Sequence, residues 1–353
     1  MKKPQPIDDA RDPLILTNCL RPELEEWCTS RSYPAYRARQ VWHWFYQRST
    51  DAFGQMTDLP RHVREEWDKE IRLRITEIRD VQRSSDGTEK YVLCLDDGNV
   101  IEAVWIPMGS HNTVCLSTQV GCPVRCRFCA SGADGLVRNL SAAEIVEQVW
   151  HMRVSHPGGD GINIVFMGIG EPFYNYENLI RAMTILHDAE GPNIGWRRMT
   201  VSTTGVVAGI RALASDVPQV NLAVSLHAPT DAQRQKLITR CPADITSLLK
   251  ELAAYYEATR RLITYEYIML KDINDSCTDA DKLAAIVHAV PSKINLIPYN
   301  TVPNGEFQPS SREHIKEFAG WLEQKGVPVM IRRRKGSDIA GACGQLRQQR
   351  YDQ

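Results

Sequence analysis

The residues best suited to chemistry are cysteines, and four of the chain's ten fall within fifteen positions: Cys115, Cys122, Cys126 and Cys129. Cys122-Pro-Val-Arg-Cys126-Arg-Phe-Cys129 is a C-x₃-C-x₂-C run. Three thiolates on one short loop can wrap a corner of a four-iron cube, which normally takes four cysteines. With no fourth nearby, one iron stays open to an outside ligand. Zinc would ask for paired C-x₂-C units or a Cys/His completion at finger-like spacing. Cys115 is close, but it reads as a strand residue and is poorly placed to complete a site. Cys19, Cys28, Cys94, Cys241, Cys277 and Cys343 are scattered. Disulfide frameworks belong to short secreted chains with little core, whereas a tight cluster in a large chain points to metal or redox chemistry.

A loop of this kind needs a scaffold, and the surrounding pattern supplies one. Strand-like runs at 113–118, 162–168, 199–203, 220–226, 264–270 and 293–298 alternate with helical stretches at 141–155, 178–190, 205–214, 245–260 and 279–290. Regular alternation at this spacing implies an α/β fold with parallel strands and crossover helices. Six units fit a partial (β/α)6 barrel, with a doubly wound sheet as the alternative. In either, chemistry gathers at the C-terminal strand ends. The residues found there are Cys122 to Cys129, Gly170-Glu171-Pro172, Ser202, Ser225 to His227, and Asn300.

Ahead of that alternation, residues 1–72 read as a small helical module. Val41, Trp42, Phe45 and Tyr46 recur at helical spacing, and the aromatic face they form reads as the core of a small bundle. Arg31, Arg37, Arg39 and Arg48 leave one side available to RNA. In 73–110 the pairs Asp86-Gly87 and Asp97-Gly98 mark two hairpins, because tight hairpin turns demand positive φ. This segment is expected to link the helical module to the barrel at 111–346, with a polar tail at 347–353.

Composition narrows the class. The 353 residues are 43% apolar and 24% charged, ordinary globular values that argue against long disorder. No apolar run approaches the roughly 18 residues of a membrane helix. Residues 1–12 have basic side chains but no apolar stretch behind them, so they do not read as a signal peptide. A cytoplasmic protein without membrane contact is expected. Lys+Arg 42 against Asp+Glu 43 gives no global electrostatic case for nucleic acid. Locally, Arg332-Arg333-Arg334-Lys335 is a basic run that fits a solvated edge as well as an RNA contact.

These motifs together resemble a known family. C-x₃-C-x-Φ-C with Phe128 as Φ, at the start of a partial barrel, is the signature of the radical S-adenosylmethionine (radical SAM) superfamily. Gln119 to Cys129, Met167-Gly-Ile-Gly-Glu-Pro172, Val201-Ser-Thr-Thr-Gly205, Ser225-Leu-His-Ala-Pro229, Asn295-Leu-Ile-Pro-Tyr-Asn300 and Ala342-Cys-Gly-Gln-Leu346 are similar to the RlmN/Cfr family of RNA methyltransferases. The likeness runs from the helix at Tyr36 to about Leu346. Two stretches, 130–135 and 332–335, depart from the family's typical sequence and bear on substrate choice.

The resemblance implies a chemistry. Adenine C2 and C8 are not nucleophilic and cannot displace a methyl group from a sulfonium. A first S-adenosylmethionine would methylate Cys343. A second, bound at the open iron of a [4Fe-4S] cluster held by Cys122, Cys126 and Cys129, would yield a 5′-deoxyadenosyl radical that takes hydrogen from the methylated cysteine. The carbon radical adds to the adenine, Glu102 removes the ring proton, and Cys115 releases the adduct by forming a transient disulfide with Cys343. Gly170, Glu171, Ser202, Ser225, Leu226, His227 and Asn300 match cofactor contacts. The implied substrate is an adenosine of 23S rRNA, with tRNA as a second target, C2 favoured over C8, and flavodoxin or ferredoxin as electron donor to a monomer.

Taken alone, the residues leave plainer readings open. Cys343 could be an ordinary tail cysteine, Cys115 a small buried hydrophobe, Glu102 the polar face of a hairpin and His227 a core histidine. Two rival functions also remain: a radical enzyme with a protein or small-molecule substrate, which would not need Cys343, and a zinc-bearing RNA-binding module.

Overall fold

The protein is described by a computed structural model over residues 13–158, 161–302 and 305–347. The expectation for residues 1–12, and the tail beyond 347, lie outside the described residues. The chain opens with β1 (Leu14–Ile15) and three helices, α1 (Arg21–Ser30), α2 (Tyr36–Tyr46) and α3 (Arg61–Glu70), then β2 (Ile71–Arg72), which pairs with β1. Three strands follow: β3 (Glu77–Arg83), β4 (Glu89–Cys94) and β5 (Val100–Pro107). Gly87 at φ +84° and Gly98 at φ +78° make the two turns between them, as the Asp-Gly pairs require.

Next come β6 (Asn112–Cys115), β7 (Gln119–Gly121), β8 (Leu136–Asn139) and α4 (Ala142–Ser155). The remaining elements alternate: β9 (Ile162–Phe166), α5 (Tyr176–His187), β10 (Met199–Thr203), α6 (Val207–Asp216), β11 (Asn221–Ser225), α7 (Asp231–Leu237), α8 (Ile245–Thr259), β12 (Ile263–Met269), α9 (Cys277–Ala289), β13 (Ser292–Pro298), α10 (Arg312–Gln324) and β14 (Val329–Ile331). One ten-stranded sheet has the order β14-β13-β12-β11-β10-β9-β6-β5-β4-β3. From β14 to β6 every neighbouring pair is parallel, and from β6 to β3 every pair is antiparallel.

The sheet curls. Arg332, just past β14, lies with Nη1 3.8 Å from Met167 Sδ, just past β9. Four strands separate β14 from β9, so a flat sheet at about 4.8 Å per strand would hold them ~24 Å apart. The strand order does not close, which makes the architecture a partial barrel. Each strand alternates accordingly. In β12, Ile263, Tyr265, Tyr267 and Met269 are buried in the main core, while Thr264 and Glu266 face the barrel cavity. The lumen wall is therefore partly polar, with Thr113, Thr200, Thr264, Glu266 and Asn295 on it.

The 73–110 segment joins the helical module to the barrel and is continuous with the main sheet, because β5 pairs with β6. The physical reason is the free backbone edge of β6, which would otherwise lie open. The basic run 332–335 borders the barrel cavity with all four residues, and Arg333 and Arg334 are also exposed to solvent. The helical module packs on α4, where Phe45 and Trp150 stack with ring centroids 5.0 Å apart and Trp150 Nε1 donates to Phe45 O at 3.1 Å.

Candidate active site

The three cysteines occupy a loop closed at its base by β7 and β8. Cys122 N donates to Gly135 O at 2.9 Å. A Cβ at Gly121 would meet that same oxygen at 1.9 Å, so only glycine permits the closure. A second clasp comes from the segment after α7. Cys126 bridges Ile238, Arg127 N donates to Leu237 O at 2.9 Å, and Arg240 N donates to Val124 O at 3.0 Å. Cys122, Cys126 and Cys129, with Cys241, pack against Val124, Phe128, Leu237, Ile238 and Tyr299. None is in a disulfide.

Burial pushes the Cys122 thiol up to about 12 and raises Cys126 and Cys129 as well. Mutual repulsion adds to this, since Cys129 raises both of its partners. Such a trio becomes thiolate together only with positive charge bound among them. Among the described residues no three His, Cys, Asp or Glu side chains are placed to hold a single metal ion. A tetrahedral zinc with bonds of about 2.3 Å needs converging sulfurs. In an iron–sulfur cube each cysteine binds its own iron, so the sulfurs need not converge. The donor set therefore fits a cluster better than zinc.

The stretch Met167 to Pro172 leaves β9 and runs against residues 116–119. A Cβ at Gly168 would fall 2.7 Å from Leu116 O, and one at Gly170, where φ is +117°, 2.8 Å from Thr118 Oγ1. Glu171 is buried, and burial raises its carboxyl above the ordinary range. Its Oε2 accepts from Thr204 N and Thr204 Oγ1, both at 2.8 Å, and Oε1 from Phe173 N at 3.2 Å. Ser202 and Ser225 stand half-buried on β10 and at the end of β11. Leu226 is fully buried in the main core. His227 has φ +58°, accepts at Nδ1 from Ile268 N at 3.2 Å, and is held down to about 3 by burial and then by Arg234. Its imidazole is neutral, and it packs edge-on against Phe128 beside Cys129.

The barrel encloses a cavity of about 600 Å³. Cys115, at the end of β6, and Cys343, on a turn past residue 340, both line it, as do Cys129 and Asn300. Burial pushes the Cys115 thiol up to about 12; the Cys343 charge adds to this and Arg332 opposes it. The Cys343 turn is tied down on several sides. Asn300 Nδ2 donates to Cys343 O at 3.2 Å, Ala130 N to Gly344 O at 2.8 Å, and Ser131 Oγ to Leu346 O at 2.6 Å. Glu102 sits outside this cavity. It is buried on β5, paired with Lys90 Nζ at 2.9 Å, and its Oε2 accepts from Arg347 N at 2.9 Å.

The structure thus brings Cys115, Cys343 and Asn300 together and places Glu102 behind the tail. Sequence reasoning missed Glu266 and Asn295 on the lumen wall, Arg332 among the cysteines, Lys90 on Glu102 and Cys241 beside the loop. A signal for one of them was present: Glu266 is the one charged residue in the Ile263-Thr-Tyr-Glu-Tyr-Ile-Met269 strand.

Comparison with known proteins agrees with this geometry. The Radical SAM superfamily profile matches residues 116–284, and the ribosomal RNA large subunit methyltransferase N-terminal domain profile matches 15–73. The dual-specificity RNA methyltransferase RlmN of Halorhodospira halophila is 41% identical over 336 residues, covering 95% of this chain and 93% of that protein. The RlmN of Geotalea uraniireducens is 41% identical over 329 residues, 92% of this chain and 94% of that one. A crystal structure of a radical SAM methyltransferase from Sphaerobacter thermophilus superposes with a TM-score of 0.91 at 41% identity, covering 95% of this chain and 99% of that one. With relatives of this similarity along nearly its whole length, the chain belongs to the dual-specificity RNA methyltransferase RlmN family of the radical SAM superfamily.

Proposed function

We propose that this protein methylates C2 of an adenosine in 23S rRNA, with tRNA as a second substrate, through a methyl group carried on Cys343. The observation that carries the reading is that Cys343 and Cys115 wall one cavity, with Cys129 of the cluster loop at its edge. When bound, a [4Fe-4S] cluster and two S-adenosylmethionine molecules per turnover would supply the methyl group and the radical chemistry. Cys122, Cys126 and Cys129 would hold the cluster, and Gly170, Glu171, Ser202, Ser225, Leu226, His227 and Asn300 the cofactor.

The chain's own side chains divide the remaining work. Cys343 accepts and delivers the carbon, and Cys115 attacks its sulfur to free the product. Glu102 takes the ring proton. Among the described residues its Oε2 is held by the Arg347 amide, so movement of the tail releases that oxygen while Lys90 keeps the carboxylate in place. The helical module at 15–73 and the basic run 332–335 grip folded RNA by shape and phosphate contacts. The choice of C2 over C8 follows the family's housekeeping members. We also place the protein in the cytoplasm as a monomer reduced by flavodoxin or ferredoxin; among the described residues no helix is long and apolar enough to cross a membrane.

Mass spectrometry of Cys343 in protein isolated without oxygen tests the reading. A methyl thioether is expected, and Cys115→Ala should trap protein covalently on RNA. A thiol that stays unmodified with S-adenosylmethionine and a rebuilt cluster would sink the proposal.

A further inference from the structure

The cavity wall carries polar side chains with no part in the chemistry above. Glu266 faces the cavity yet is only 4% exposed. Its Oε2 accepts from Asn295 Nδ2 at 2.8 Å, and among the described residues no other side chain engages its carboxylate. Asn295 also lines the cavity, and among the described residues its buried Oδ1 has no hydrogen-bond partner. Burial outweighs the opposing charges of Arg332 and Lys293 and raises the Glu266 carboxyl above its ordinary range, which favours the protonated acid. A protonated carboxyl presents an O–H donor beside a C=O acceptor. Adenine offers the complement, its N6 amine beside an acceptor ring nitrogen, and Asn and Gln amides read it in the same way.

We propose that Glu266, steadied by Asn295, is an adenine-reading subsite that pairs with the N6 amine and adjacent ring nitrogen of the target base. This rests on the RNA-methylation reading and adds the residues that choose the base. Adenine reaches the protein from two sources, the RNA and S-adenosylmethionine. The geometry points to the RNA. Glu266 shares its cavity with Cys343 and Cys115, the two thiols that must reach the target. Of the seven residues proposed for the cofactor, only Asn300 lines that cavity, while Ser225 pairs with Glu266 across β11 and β12. A base entering it leaves its stack, as bases do for enzymes that act on their ring atoms.

The test uses the full chain with its cluster and a synthetic RNA hairpin carrying either adenosine or purine riboside, which lacks the N6 amine, at the target position. Glu266→Gln keeps a donor beside an acceptor, whereas Glu266→Ala removes both. The parent should lose about 10- to 100-fold in kcat/KM on the purine RNA. The Gln variant should stay within a few-fold of the parent and keep its preference. The Ala variant should lose about 10- to 100-fold on adenosine RNA and discriminate no longer. An Ala variant as selective as the parent overturns the proposal. So does a Gln variant as impaired as Ala, because charge rather than pairing would then matter. Cys343 methylation, which consumes cofactor without RNA, is read on each variant, and its loss would assign Glu266 to the cofactor's adenine or to folding. A parent protein that methylates neither RNA removes the functional reading itself and is recognised before any variant is compared.

Discussion

Lys90 and Glu102 show how much a single pair decides. Both side chains are almost wholly buried, at 3% and 2% exposure, and 2.9 Å apart. A buried pair adds little against an apolar replacement of both partners, but breaking it strands a charge at a cost of about 3–5 kcal/mol. Lys90→Met should therefore lower unfolding stability by about that much, read from urea denaturation. A loss within the ~0.5 kcal/mol typical of surface changes would mean that water reaches Glu102. The grouping of Cys122, Cys126 and Cys129 on one loop was legible in the sequence because it depends on local spacing. The pairing of Lys90 with Glu102 was not, because it arises from the register of β4 on β5, in which Val92 faces Glu102 and Lys90 sits diagonally two residues away. The same holds for Arg332, which reaches Cys115 and Cys343 only because the sheet curls.

Helix α4 carries a second buried network, and its titration has a sign that can be worked out. Glu147 accepts from Ile75 N at 2.9 Å and from Thr76 N at 2.7 Å, and burial lifts it from 4.5 to about 7. His151, one turn on, contacts Thr76 Oγ1 at 2.9 Å, and burial lowers it from 6.5 to about 4. A carboxyl raised on folding gives stability that is full below 4.5 and lost as pH rises through 7. A histidine lowered on folding gives stability that is full above 6.5 and lost as pH falls toward 4. The two slopes oppose each other between about 4.5 and 6.5. The stability gap between the parent and His151→Gln should widen as pH rises from 4 to 6.5, and that between the parent and Glu147→Gln should narrow from 4.5 to 7. Urea midpoints across pH check both, and a reversed slope in either variant would refute the assignment. At this scale the β/α alternation and both Asp-Gly turns were readable from pattern alone. β14 was not: at three residues, Val329–Ile331, it is too short for alternation to register.

Across the molecule, the segment past β14 folds back over the opposite end of the sheet. Asp338 accepts from Ser84 Oγ at 2.6 Å and from Ser85 N at 3.2 Å, and Gly336 N donates to Asp86 Oδ2 at 3.1 Å. These contacts pin the tail to the β3–β4 turn, and the Ser84 hydroxyl, with the Ser85 amide, holds Asp338 below its ordinary range. Asp338→Ala should speed amide exchange across 336–347 while leaving the strands β9 to β13 protected. Unchanged exchange in that segment would show that the turn does not hold it. This layout also has a consequence in time. Ser131 and Leu346, joined by one hydrogen bond, lie 215 positions apart, and Glu102 and Arg347 lie 245 apart. A nascent chain therefore makes its cysteine loop long before it makes the turn that seats against it. Until synthesis passes residue 347, the Ala130 amide and the Ser131 hydroxyl have no tail to bind. A product terminated before residue 343 carries the cysteine loop without Cys343 and the turn that holds it.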